Sequence, residues 1–88
     1  MDKNYSLDRL FDAILTLKTK DECSEFFADA CTPKELQAIA QRFTVAEMLY
    51  EKRVYSDIIE QTGASTATIS RVSRSINDGY KMVFERLK

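Results

Sequence analysis

Glycine occurs only at positions 63 and 79, and proline only at 33. In a chain of 88 residues, that leaves few places where the backbone can turn sharply. No segment alternates apolar and polar residues, so strands have no pattern to build on. Apolar residues recur three and four apart instead. The expectation is an all-α chain of helices joined by short turns, organised as a single domain over residues 1–88.

A core of this size buries about 60–65% of the unfolded surface, so small chains tend to need idealised packing or a partner. Apolar residues make up 44% and charged residues 31%, which suits a soluble globular domain and excludes a disordered one. No apolar run is long enough to cross a bilayer and the amino terminus has no leader pattern, so a cytoplasmic protein without a membrane partner is expected. The absence of histidine removes Cys/His zinc sites and imidazole acid–base or triad chemistry. No metal, cofactor or enzymatic activity is expected. Cys23 and Cys31 would lie about 12 Å apart on one helix, beyond disulfide reach. Both fall on an apolar face and read as buried core thiols.

Along the chain, a first helix is expected from about Ser6 to Lys18, with the stripe Leu7, Leu10, Phe11, Ile14 and Leu17. Asp21 is the expected cap of a second, whose face is Cys23, Phe26, Phe27, Ala30 and Cys31. Then "TPKE" places Thr32 as N-cap, Pro33 at the first helical position and Glu35 at N3, a capping box. The helix it opens reaches about Lys52. Leu36, Ile39, Ala40, Phe43, Ala46 and Tyr50 form one stripe, widened by Val45, Met48 and Leu49. A helix apolar on more than one side must be covered on more than one side. That argues for a homodimer with this helix at its centre.

After a cationic turn at Lys52 and Arg53, a short helix is expected over Asp57–Gln61. Gly63 ends it in the left-handed conformation, Ser65 or Thr66 caps the next helix, and that helix runs to about Ile76. Asn77, Asp78 and Gly79 mark a turn. A last helix carries Tyr80, Val83, Phe84 and Leu87 on one face.

Helix, glycine-containing turn and second helix, over about 55–76, outline a helix-turn-helix. Ile58, Ala64, Ile69 and Val72 point inward, leaving Ser65, Thr66, Ala67, Thr68, Ser70, Arg71 and Arg74 outside or at the edge. Residues 1–51 carry 6 Lys/Arg against 10 Asp/Glu, whereas residues 52–88 carry 7 against 4. The segment "TGASTATISRVSRS" (62–75) contains no acid at all. Short hydroxyls let a helix start approach base edges closely, and Lys52, Arg53, Arg71 and Arg74 supply phosphate or guanine contacts. The function this implies is binding of double-stranded DNA. The alternative is a helical protein-interaction module, because this geometry also occurs in proteins that touch no nucleic acid.

The run "CTPKELQAIAQRFTVAEMLYEKRVYSDIIEQTGASTATISRVSRSI" (31–76) resembles the tryptophan repressor family, and the whole chain is most similar to its YerC/YecD-type branch. The matching elements are the "TP" cap with its nearby acid, Arg42 in the long helix, and "ATISR.S.S" (67–75). The resemblance implies an intertwined, all-helical homodimer acting as a transcriptional regulator, a repressor by type. It places Thr66, Ala67 and Thr68 at base edges and Tyr55 and Ser56 near a phosphate-contacting helix start. Ile59 falls where the family has a DNA-contacting lysine, so the operator is expected to differ. Arg42 and Arg71 match the two arginines that sandwich the indole of bound tryptophan, and Ser75 a serine near its amino group. The glycine against which the indole lies is Val72 here, which fills the slot. Tryptophan is therefore not the expected effector, and the two arginines are left for interface or phosphate contacts.

Overall fold

The computed structural model describes residues 3–88, with side chains from Asn4 onward. Six helices follow in order: α1 Lys3–Ile14, α2 Lys20–Ala30, α3 Pro33–Tyr50, α4 Tyr55–Thr62, α5 Thr66–Ser75 and α6 Asp78–Leu87. No strand occurs among the described residues. The chain divides into two compact units, Met1–Leu36 and Gln37–Lys88.

In the first unit, α1 ends at Ile14, four residues before the expected end at about Lys18. The Thr16 hydroxyl donates to the Ala13 carbonyl at 2.6 Å, and the Leu17 N–H bonds the Ile14 carbonyl at 3.1 Å. These local bonds compete with helix continuation. The cap of α2 is Thr19 rather than Asp21. Its hydroxyl oxygen accepts from the Glu22 N–H at 3.1 Å, and the Glu22 carboxylate accepts from the Lys18 N–H at 2.8 Å. Threonine followed three residues later by glutamate is the same grammar as at Thr32.

No residue of α2 is buried. The Phe26 and Phe27 rings meet edge to face at 5.1 Å but stay half-exposed. Cys23 is exposed and Cys31 half-buried, so neither is the buried core thiol expected of it. The physical reason is that the apolar face of α2 is only partly covered, with Cys23 and Ala30 exposed and Phe26, Phe27 and Cys31 half-buried. The same holds for α1, where Leu7 is 51%, Phe11 54% and the following Leu15 82% exposed.

The capping box opening α3 is as the sequence implies. The Thr32 N–H donates to Glu35 Oε1 at 2.8 Å, and the Glu35 N–H donates back to Thr32 Oγ1 at 3.1 Å. The Thr32 backbone N–H first, and the Thr32 side chain second, favour the charged carboxylate and hold the Glu35 carboxyl below its ordinary range.

The second unit contains the core. Val45, Ala46, Met48, Ile58, Ala64, Ile69, Val72 and Phe84 are buried together. Full burial of a side chain such as Ile58 or Ile69 contributes about 1.5–3 kcal/mol. Phe84 of α6 sits among Phe43, Tyr50 and Tyr80, with ring centroids 5.3, 5.2 and 5.6 Å away. The Tyr50 hydroxyl donates to the Glu85 carboxylate, and Lys88 lies over the Tyr50 ring at 5.5 Å, so α6 is tied to α3 at both an apolar and a polar level. Asp78 and Gly79 belong to the first turn of α6 rather than to a separate turn, and Asn77 is its N-cap residue. An acid at this helix start is favoured by the helix dipole. On α3, Val45, Ala46 and Met48 are buried, whereas Ile39 remains 44% exposed. Its carboxyl-terminal half is thus covered within the unit, and Ile39 is not.

Candidate nucleic-acid interface

Two helices and a tight turn define the site. Helix α4 begins at Tyr55, two residues before the expected Asp57, and Val54 precedes it without a side-chain capping bond. It ends where Gly63 takes φ 71 and ψ 6, with the Gly63 N–H on the Ile59 carbonyl at 2.9 Å. Thr62, a polar residue where an apolar one would suit the core, is accommodated by hydrogen bonds. Its hydroxyl donates to the Ile58 carbonyl at 2.7 Å and accepts from the Ala64 N–H at 3.1 Å. Gln41 on α3 donates to the Thr62 carbonyl at 3.1 Å, anchoring the end of α4. Sequence reasoning passed over Gln41 because nothing local marks a partner 21 residues away.

Ser65 resolves the choice of cap for α5. Its oxygen accepts from the Thr68 N–H at 3.1 Å, and its hydroxyl bonds Thr68 Oγ1 at 3.1 Å. Ile58, Ala64, Ile69 and Val72 all point inward, each at most 4% exposed. On the other side of α5, Ser65, Thr66, Ala67, Arg71 and Arg74 are exposed, with Thr68 and Ser70 half-buried. Among the described residues, neither Arg71, Arg74 nor Lys52 forms an ion pair. An amphipathic helix locked by one face thus presents hydroxyls, a methyl and two unpaired guanidinium groups on the other.

Tyr55 and Ser56 are exposed at the start of α4. Arg53, expected as a phosphate or guanine contact, is paired within the chain: its Nε lies 3.5 Å from Asp57 Oδ2. The i,i+4 spacing was the available signal for that pair. Lys52 adopts φ 67, alone among the described non-glycine residues in having a positive value.

Of the residues matched to a ligand site, Arg42 is exposed, and the Ser75 hydroxyl donates to the Val72 carbonyl at 3.0 Å. Ser75 also lines an apolar hollow of about 410 Å³ with Phe43, Asn77, Gly79, Tyr80 and Val83, and neither arginine borders it. Val72 is packed into the core at 4% exposure.

This arrangement is an all-α helix-turn-helix domain of the tryptophan-repressor type. The profile of the family described as Trp repressor protein matches residues 5–88, and the chain belongs to that family. The uncharacterised protein YerC of Bacillus subtilis is 53% identical over 89 residues, spanning 98% of this chain and 86% of that protein. The crystal structure of a TrpR-like protein from Eubacterium eligens superposes with a TM-score of 0.90 at 58% identity, covering 94% of this chain and 89% of that one. A candidate Trp repressor from Staphylococcus aureus gives 0.89 at 50% identity, covering 94% and 86%. No described helix is long and apolar enough to cross a membrane.

Proposed function

We propose that the protein is a homodimeric, sequence-specific DNA-binding regulator of transcription, acting as a repressor in the cytoplasm. The observation that carries this reading is the outer face of α5, with no acid and two unpaired arginines, on a helix whose opposite face is fixed in the core. Membership of a regulator family supports it. Exposed Leu7, Phe11, Leu15 and Ile39 support a second copy covering the apolar helix faces. Paired α5 helices then enter successive major grooves about one helical turn apart, so the operator is a rough palindrome. Lys52, Arg53, Tyr55, Ser56, Arg71 and Arg74 hold the backbone. Ser65, Thr66, Ala67, Thr68 and Ser70 read or approach the base edges.

Tryptophan is not the effector in this reading. Val72 occupies the place of the family glycine, and Arg42 and Arg71 serve interface or phosphate contacts. Titration calorimetry with tryptophan should show no saturable heat in the micromolar range, and such heat would reverse the assignment.

Selection of genomic duplex fragments by the purified protein at near-physiological salt, with and without tryptophan, tests the whole reading. Enriched near-palindromic sites in both arms are expected. Val54, Tyr55 and Ile59, which are 61%, 39% and 38% exposed, favour a second reading, a helical dimeric module that binds protein. In that case no fragment is enriched, and neither salt nor Arg74→Glu affects binding of its partner.

A further inference from the structure

We propose that Asp57 is a positioning residue that holds Arg53, beside Lys52, as a two-cation clamp on a DNA phosphate flanking each recognition helix. The inference rests on the DNA-binding reading above and adds to it a residue of the wrong charge for contacting DNA.

The turn that ends α3 explains the Lys52 half of the clamp. The Lys52 N–H bonds the Leu49 carbonyl at 3.0 Å and the Arg53 N–H bonds the Met48 carbonyl at 3.0 Å. With Lys52 at φ 67, this is the paired-bond helix ending whose left-handed position usually holds glycine. An L side chain is strained there, so folding alone favours glycine at this position. Lys52 is exposed and forms no ion pair among the described residues. Its packing contributes little, and what remains for it to contribute is its charge. Backbone strain tolerated at such a position points to function.

Arg53 follows directly. Its Nε lies 3.5 Å from Asp57 Oδ2, with the two side chains 37% and 47% exposed. A guanidinium has five N–H donors. Contact through Nε restrains the side chain while leaving the terminal amino groups for a second acceptor. A planar fork beside a compact ammonium suits a phosphate, which takes paired hydrogen bonds from the first and a point charge from the second. The contrary possibility is that Asp57 only neutralises Arg53 and repels DNA. The two roles predict opposite signs when the carboxylate is removed.

The test measures the dissociation constant for a mixed-sequence DNA duplex across a salt series, because a phosphate clamp is indifferent to sequence. Wild type is compared with Asp57→Asn, Asp57→Glu and Lys52→Gly, each checked by urea denaturation. Asp57→Asn is expected to weaken binding several-fold although it removes a negative charge, and Asp57→Glu, which keeps a carboxylate within reach, restores it. Lys52→Gly is expected to raise the urea midpoint and yet weaken binding, with the salt slope reduced by about two for a dimer losing two contacts. Tighter binding by Asp57→Asn overturns the positioning role. An unchanged slope in Lys52→Gly overturns the clamp while leaving DNA binding intact. Wild-type protein that shows no salt-sensitive binding overturns the DNA-binding reading itself, and the clamp with it.

Discussion

The same substitution at the two glycines should change stability in opposite directions. Gly63 has φ 71, and a Cβ built there meets nothing within 4 Å. Gly63→Ala therefore introduces no clash, and its whole effect is the backbone cost of a left-handed alanine, about 1–2 kcal/mol. Part is offset because alanine narrows the unfolded ensemble. The net destabilisation is about 1 kcal/mol, or about 4–8 °C for a domain of this size.

Gly79 lies in the first turn of α6, and a Cβ there also meets nothing within 4 Å. Gly79→Ala gains helix propensity and loses unfolded entropy, so it should stabilise by about 0.5–1 kcal/mol. Gly63→Asn belongs in the series because asparagine tolerates the left-handed region and should cost less than alanine. Urea denaturation at one fixed protomer concentration is the assay, since assembly shifts apparent stability. Destabilisation at both positions would falsify the steric reasoning at Gly79 and show that something covers that open face. No loss at Gly63 would mean that the turn between α4 and α5 is not left-handed at this residue.

Four further outcomes are expected. Ile69→Ala, at a position with no exposure, should cost about 2–4 kcal/mol by urea denaturation and detach α5 from its support. Thr32→Ala removes one half of the α3 capping box and should cost about 1 kcal/mol. Because the folded state lowers the Glu35 pKa from 4.5, the contribution of its carboxylate is complete above that value. It is lost as pH falls through the lowered one. Glu35→Gln should flatten that part of a stability–pH curve and leave the rest unchanged. Arg74→Glu should weaken binding to a selected duplex and to a mixed-sequence duplex alike, as measured by fluorescence anisotropy, because a phosphate contact carries no sequence information.

Much of the second unit was legible from local patterns. Ile58, Ala64, Ile69 and Val72 were identified as inward-facing, and all four are buried. Gly63 was identified as left-handed, and, in the first unit, Thr32 with Glu35 was identified as a capping box. Each depends on spacing within a few residues. The first unit was less legible. The stripe on α1 ran past its real end because Thr16 turns its hydroxyl onto Ala13, and Asp21 was preferred as a cap although Thr19 and Glu22 carry the capping grammar. The proposed clamp was half visible. Lys52 and Arg53 stood out as cations, but Asp57 was read only as a helix start.

By itself, then, the sequence determined the helical class, the capped start of α3, the end of α4 at Gly63, and which face of α4 and α5 turns inward. These follow from periodicity and from backbone groups that must be satisfied nearby. Only the tertiary structure decided that Gln41 anchors Thr62 and that Tyr80 and Phe84 of α6 pack beside Phe43. It also decided that the apolar stripes of α1 and α2 are only partly covered, with Leu7, Phe11 and Cys23 exposed and Ile14, Phe26 and Phe27 half-buried. A stripe records that a face needs covering, whereas its partner is chosen by contacts between residues distant in sequence, which no local pattern encodes.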